Sequence, residues 1–225
     1  MQQWDNKFND LLNSVPSINS AGDASSYMTL YNSVTTRPTF RNDDSNDEEY
    51  QKRLAMFNAW KSLVMPTSIS NNGIEMLKVL EDFRSEAYYA SSGETNYIIG
   101  YGHVIQGGGS SIDFQGSTYY SITESMATSI LMDDLANNFE PLLNEFLCEN
   151  DILIDQQQYD ALIIDCYQKG QYIWGNSYSI SEYIIGGDYS SYEQCLAAFL
   201  GSTSNEGLIN RRTKEADLFY YGLYR

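Results

Sequence analysis

The sequence predicts an α+β fold, mostly helical, with a small antiparallel β-hairpin or sheet inserted among the helices. Three observations predict it. Apolar residues recur at helical spacing on both sides of the middle of the chain, most regularly after Thr123. Between Ala87 and Gly102 the pattern changes to short β-type runs around the turn Ser91-Ser92-Gly93-Glu94-Thr95-Asn96. An apolar content of 42% supports a packed core and excludes a disordered chain.

Taken in chain order, Trp4, Phe8, Leu11, Leu12 and Val15 mark a short helix that Pro16 ends. Residues 17–46, rich in Ser, Asn, Asp and Thr, read as a linker or irregular wrap. Tyr50, Leu54, Phe57, Trp60 and Leu63 or Val64 form one stripe of a second helix, which Pro66 stops. We therefore expect residues 1–69 to be a helical extension and linker, and residues 70–225 to be the main domain.

That domain starts at Ser70-Asn71-Asn72-Gly73, where Asn and Gly offer helix-capping chemistry, with Ile74, Leu77, Val79 and Leu80 as apolar contacts up to Glu81. The hairpin follows, closing on Gly-Tyr-Gly-His, then a flexible Gly107-Gly108-Gly109-Ser110 loop and a second short strand pair around Ile112 to Tyr119. Thr123 caps the next helix, whose buried stripe is Met126, Ile130, Leu131 and Leu135. Further helices are expected over about 137–149, 155–168, 179–186, 190–200 and 206–221.

The net charge of −17 disfavours a nucleic-acid partner, because phosphate neutralisation needs clustered Lys and Arg. No apolar run is long enough for a stable membrane insertion. The start, Met1-Gln2-Gln3-Trp4-Asp5-Asn6, has neither the basic beginning nor the apolar run of a secretory signal. The three cysteines, Cys148, Cys166 and Cys195, lack metal-ligand spacing, and Cys166 and Cys195 fall on apolar helix faces, so buried free thiols are expected.

The most informative stretch is Glu81-Asp82-Phe83-Arg84-Ser85-Glu86-Ala87-Tyr88, followed after the turn by Ile98-Ile99-Gly100-Tyr101-Gly102-His103. Three further blocks come after it in order. Ile122-Thr123-Glu124 leads to Leu131-Met132-Asp133-Asp134-Leu135. Gln158-Tyr159-Asp160-Ala161-Leu162 leads to Tyr167 and Gly170. Gly207-Leu208-Ile209-Asn210-Arg211-Arg212 leads to Glu215 and Leu218-Phe219. Each block alone is weak, but four in order are specific, and together they resemble the phage-type lysozymes, glycoside hydrolase family 24, over about residues 70–225. The first seventy residues resemble no family we can name.

The resemblance implies a lysozyme-like fold with the hairpin near the active-site cleft, and a muramidase that cleaves the β-1,4 bond between N-acetylmuramic acid and N-acetylglucosamine of peptidoglycan. It implies no metal and no organic cofactor. Glycoside hydrolysis generally needs one carboxyl to protonate the leaving oxygen and a second to activate water or attack. By the family pattern Glu81 is the proton donor, Arg211 pairs with it, and His103 is structural, pairing with Asp134.

Two positions depart from that pattern. The family usually places Asp or Cys nine residues after the glutamate and Thr just before the Ile-Gly of the strand; here those positions hold Ala90 and Ile98. The turn is also about two residues longer than in compact members. Glu94, with the Thr95 hydroxyl beside it, is the candidate for a displaced second carboxylate, and a solvated turn residue is the other reading of it. Tyr101 and Trp174 are candidates for stacking on sugar rings.

Function then divides two ways. The chain acts on the bacterial wall as an endolysin held in the host cytoplasm until release, or as a virion or tail lysozyme docked through its N-terminal segment. Alternatively it is a catalytically degenerate lysozyme-fold binding or structural module of a tail or injection assembly. The acidic charge gives no long-range attraction to an anionic wall, which fits carriage on a larger assembly.

Overall fold

The computed structural model describes residues 66–225 apart from 90–95, 108, 151, 153 and 175–177. Residues 67–152 and 157–225 form one compact unit; a second, comprising 1–66 and 153–156, lies almost entirely outside the described residues. The two helices expected before Pro66 fall there. Everything below concerns the larger unit.

Its first helix, α1 (Asn71–Glu81), starts where Ser70 accepts a hydrogen bond from the Gly73 amide, 3.1 Å long. Ile74, Met76 and Leu77 are its buried face, whereas Val79, expected among the apolar contacts, is 73% exposed. The segment leading into α1 is held by side chains from distant helices. Thr67 O accepts from Tyr159 Oη and from Asn144 Nδ2, both at 2.9 Å. Ile69 N donates to Glu140 Oε1 at 2.8 Å. Ser70 donates through both its amide and its hydroxyl to Asp160, which also accepts from Tyr224 Oη at 2.7 Å.

Three strands follow where a hairpin is expected: β1 (Arg84–Tyr88), β2 (Tyr97–Gly100) and β3 (His103–Ile105), antiparallel in that order. The extra strand arises from the glycines of Ile-Gly-Tyr-Gly-His. Gly100 (φ 69°) and Gly102 (φ 97°) both take left-handed backbone, so the chain reverses within two residues and Ile99 pairs with His103. Gly100 also admits a neighbour closely: a Cβ there would lie 3.1 Å from Ala127 Cβ. The second ribbon joins β4 (Ile112–Phe114) to β5 (Ser117–Tyr119) through Gln115 and Gly116, both at positive φ, the backbone of a type I′ hairpin turn.

Helix α2 (Glu124–Asp134) begins at Thr123, whose side chain accepts from Met126 N, and buries Ala127, Ile130 and Leu131 against the sheet; Met126 is half-buried. The sequence pattern breaks between α2 and the next helix, yet the backbone stays helical. Leu135–Phe139 form a π turn that runs directly into α3 (Glu140–Glu149). Pro141 explains it. Proline inside a helix lacks the amide donor, and its ring clashes with the carbonyl four residues back, here Asn137. Widening the preceding turn, with Glu140 N bonded to Leu135 O, relieves the clash without ending the helix.

The remaining helices are α4 (Gln156–Lys169), a 3₁₀ turn (Gln171–Trp174), α5 (Ser179–Gly186), α6 (Tyr192–Leu200) and α7 (Glu206–Tyr221). Residues Tyr159 to Cys166 of α4 are all buried, so this helix runs through the core. Helix α7 packs mainly on α6, and α6 on α5. Cys166 and Cys195 are free and buried, and burial pushes both thiols up to about 12, which makes them poor nucleophiles at neutral pH. No described helix is long and apolar enough to cross a membrane.

Candidate active site

Glu81 is the last residue of α1, and the backbone turns sharply straight after it. Asp82 sits at φ 58°, ψ 140°, a conformation rarely taken by a residue with a side chain. Its carboxylate accepts from the Phe83 amide at 3.0 Å, and its own amide bonds to Lys78 O at 3.2 Å. The helix is thereby cut off and the chain redirected into β1, which leaves Glu81 at the helix end with only 18% of its side chain exposed.

Arg211, on the second turn of α7, meets it: Nη2 lies 2.7 Å from Glu81 Oε1. Oε1 is buried, so the contact is shielded from water. The contact is an ion pair, and its cation offsets the negative end of the α1 dipole. Arg211 is itself anchored, with Nε donating to Glu215 Oε1 at 3.0 Å and Nη2 to Ile164 O at 3.4 Å.

The other Glu81 oxygen faces the β2–β3 turn. A Cβ placed on Gly102 would lie at ordinary contact distance, 3.7 Å, from Glu81 Oε2 and from the Tyr167 hydroxyl, so it is the left-handed backbone, φ 97°, that calls for glycine here. Tyr167 donates to Tyr101 O at 2.9 Å and packs on Phe139 of the π turn, with ring centres 5.0 Å apart. Burial first, then the carboxylates of Asp134 and Glu81, holds its phenol protonated well above the usual range. Gly102 and Tyr167 also line a cavity of about 680 Å³, together with His103, Asp113, Asp134 and Asn138. Glu81 is not itself in the cavity lining; it borders two residues, Gly102 and Tyr167, that are.

His103 Nδ1 lies 2.8 Å from Asp134 Oδ2, a contact that ties β3 to the end of α2. We expect His103→Ala to lower stability by about 1–2 kcal/mol, toward the low end of the roughly 1.5–3 kcal/mol of a hydrogen bond to a charged group because both side chains are partly exposed, while turnover per folded molecule falls much less. Thermal melts set beside rates normalised to folded protein measure both. An inactive variant that melts normally would assign the histidine to chemistry instead.

The expected sugar-stacking residues are placed elsewhere. Tyr101 is 3% exposed, its hydroxyl donating to Glu124 Oε1 at 2.9 Å and its ring beside Phe83 and under Lys78. No ring face is left for a sugar. Trp174 stacks on Phe146 at 5.1 Å and does not line the cavity. Glu94, Thr95 and Ala90 fall outside the described residues. Ile98 is half-buried in β2, paired with Tyr88 and Val104. Among the described residues no cluster of His, Cys, Asp and Glu could hold a metal ion.

Tyr167 was not singled out for the site by sequence reasoning. Its signal was available: an aromatic three residues before Gly170, on the helix face next to the buried stripe.

The profile of the phage lysozyme family matches residues 78–215, more than half of the chain. An endolysin of Bacillus phage PZA is 33% identical over 161 residues, which cover 68% of this chain and 55% of that protein. An endolysin of Lactococcus phage c2 is 26% identical over 152 residues, 67% of this chain and 59% of the other. The chain therefore spans little more than half the length of these curated relatives. Among solved structures, an endolysin from Escherichia coli O157:H7 phage FAHEc1 superposes with a TM-score of 0.53 at 25% identity, over 70% of this chain and 96% of that one. The muramidase domain of SpmX from Asticaccaulis excentricus gives 0.50 at 25% identity, over 68% and 97%.

Proposed function

Since the chain belongs to the phage lysozyme family, we propose that it is a peptidoglycan hydrolase: a muramidase cleaving the β-1,4 bond between N-acetylmuramic acid and N-acetylglucosamine. It would serve as a phage endolysin or as a virion- or tail-associated lysozyme, with residues 1–69 as the extension that docks it. The observation that carries this reading is Glu81, ion-paired at 2.7 Å with Arg211 beside the 680 Å³ cavity. Cavities of about 300–1,000 Å³ are the usual size for small-ligand clefts.

In this mechanism Glu81 gives its proton to the leaving glycosidic oxygen. Arg211 then stabilises the carboxylate left behind. It needs no movement to do so, because Glu215 and Ile164 O already fix its guanidinium. Water attacks from the opposite face of the sugar, oriented by Glu94 or by hydroxyls of the same turn such as Thr95. The His103–Asp134 pair holds the cleft wall in place, and Asn138 and Asp113 offer polar contacts to sugar hydroxyls.

One observation favours a second reading. Ile98 and Ala90 stand where the resemblance leads one to expect Thr and an acidic or thiol group. A chain without a second catalytic group would keep the groove and bind saccharide without cutting it.

Digestion of purified peptidoglycan from several bacteria, followed by borohydride reduction and mass spectrometry, separates these outcomes. A muramidase releases fragments with reduced muramic acid at their ends. Reduced glucosamine ends would rule out the stated bond. Binding to the wall without release of any fragment would make the module the better account.

A further inference from the structure

Behind Arg211 lies a set of charges that the cleavage chemistry does not itself require. Arg212, the next residue of α7, is 2% exposed, and its Nη1 donates to both Asp165 Oδ1 and Glu215 Oε2. Its Nη2 donates to Gln168 Oε1. Asp165 and Glu215 are wholly buried. Lys169 Nζ lies 2.9 Å from Asp165 Oδ1 and donates to Phe199 O, also at 2.9 Å. The order Glu81–Arg211–Glu215–Arg212–Asp165–Lys169 alternates in sign throughout.

Asp165 stands among the apolar residues Leu162, Ile164 and Cys166 on the most buried helix of the unit. Taking such ions out of water is costly, and well-packed apolar residues often serve a core equally well or better. We infer that Asp165 is a positioning residue for the proton donor: by holding Arg212 it sets how much of Glu215 is left for Arg211, and so how closely Arg211 bears on Glu81. The inference deepens the muramidase reading and rests on it only for the name given to Glu81.

Glu215 is the shared element. Burial and the neighbouring Asp165 push its carboxyl above the ordinary range, while both guanidiniums pull it back. Its two oxygens each face an arginine N–H, the arrangement of a carboxylate with no acceptor placed for a proton. Losing Asp165 lets Arg212 take more of Glu215, and Arg211 then turns more fully to Glu81. Losing Lys169 strengthens the Asp165–Arg212 contact and acts in reverse. The groups facing Glu81 are otherwise Arg211 from α7 and the Tyr167 hydroxyl from α4; Lys78, on α1 itself, is engaged by Glu75 and Glu124.

The test is a carbon-13 NMR titration of the Glu81 side-chain carboxyl in the full chain and in Asp165→Asn and Lys169→Met. The Glu81 carboxyl is in direct contact with Arg211, so it reports where that guanidinium sits. The midpoint should fall by about half a pH unit or more in the first variant and rise comparably in the second, the scale of coupling through packed charge networks. The alkaline limb of the pH–activity profile, where the donor loses its proton, should move with it. The field of the two deleted charges has the same signs through space, so Glu215→Gln tells the two apart: with the shared carboxylate gone, a relayed Asp165→Asn shift is lost and a through-space shift persists. Unmoved midpoints in folded variants overturn the inference, and if Asp165→Asn does not fold, Lys169→Met decides alone. Shifted midpoints in a protein that cuts no wall would leave the inference standing and remove the muramidase reading. Cleavage with unmoved midpoints would do the opposite.

Discussion

Replacing Glu81 by glutamine yields a folded protein whose cleavage of peptidoglycan falls by about 10²–10⁴-fold, the contribution typical of a positioned acid. Glutamine keeps the shape of the side chain but has no proton to give. Folding should survive because little is orphaned. Arg211 still donates to Glu215 and to Ile164 O, and the amide oxygen of glutamine can still face its Nη2. The measurement is the rate of muropeptide release per folded molecule, with circular dichroism as the control for structure. A loss of only a few-fold would take Glu81 out of the chemistry.

The largest effect on stability is expected at Asp160. This buried carboxylate receives the Ser70 amide, the Ser70 hydroxyl and the Tyr224 hydroxyl, joining the start of α1 to the residues after α7. Asp160→Ala removes the acceptor of three half-buried donors; a fully buried donor left unsatisfied costs about 1–3 kcal/mol, and partial exposure lowers this. Allowing for relaxation and water entry, we expect a net loss of about 3–4 kcal/mol, which is the scale of a broken buried network. For a unit of this size that lowers Tm by roughly 6–16 °C. Asp160→Asn, which keeps one acceptor oxygen, should fall between. A thermal melt of Asp160→Ala within a degree or two of the parent would show that the clamp is ornamental.

What could be read from the sequence follows the range of the forces involved. Caps and helix faces are local, so Thr123 and the buried stripe of α4 stood out from a few neighbouring residues, whereas at the start of α1 the sequence pointed to Asn and Gly and it is Ser70 that caps. The Glu81 and Arg211 positions were legible through four ordered blocks, although 130 positions separate the two residues. Features set by distant contacts were not. The burial of Tyr101 depends on Glu124 and Phe83 around it, and nothing in its own neighbourhood distinguishes it among nineteen tyrosines. Helix α2 and helix α3 read as separate because the stripe slips by one residue at the π turn; Pro141 marked the place but not the outcome. Val79 faces outward because α1 buries one side only, and a run of apolar residues does not say which side.

The clamp at Asp160 also bears on what can be done with the fold as a building block. Ser70 and Tyr224 both bond to the same carboxylate, so the chain comes in and goes out at a single point. A fold of this kind behaves like a bead on a clasp. Its two ends could be joined by a short bridge and the ring reopened at an exposed tip such as Gln115-Gly116, giving a permuted chain with the same cleft. It could equally be spliced whole into a surface loop of another protein without prising the host apart.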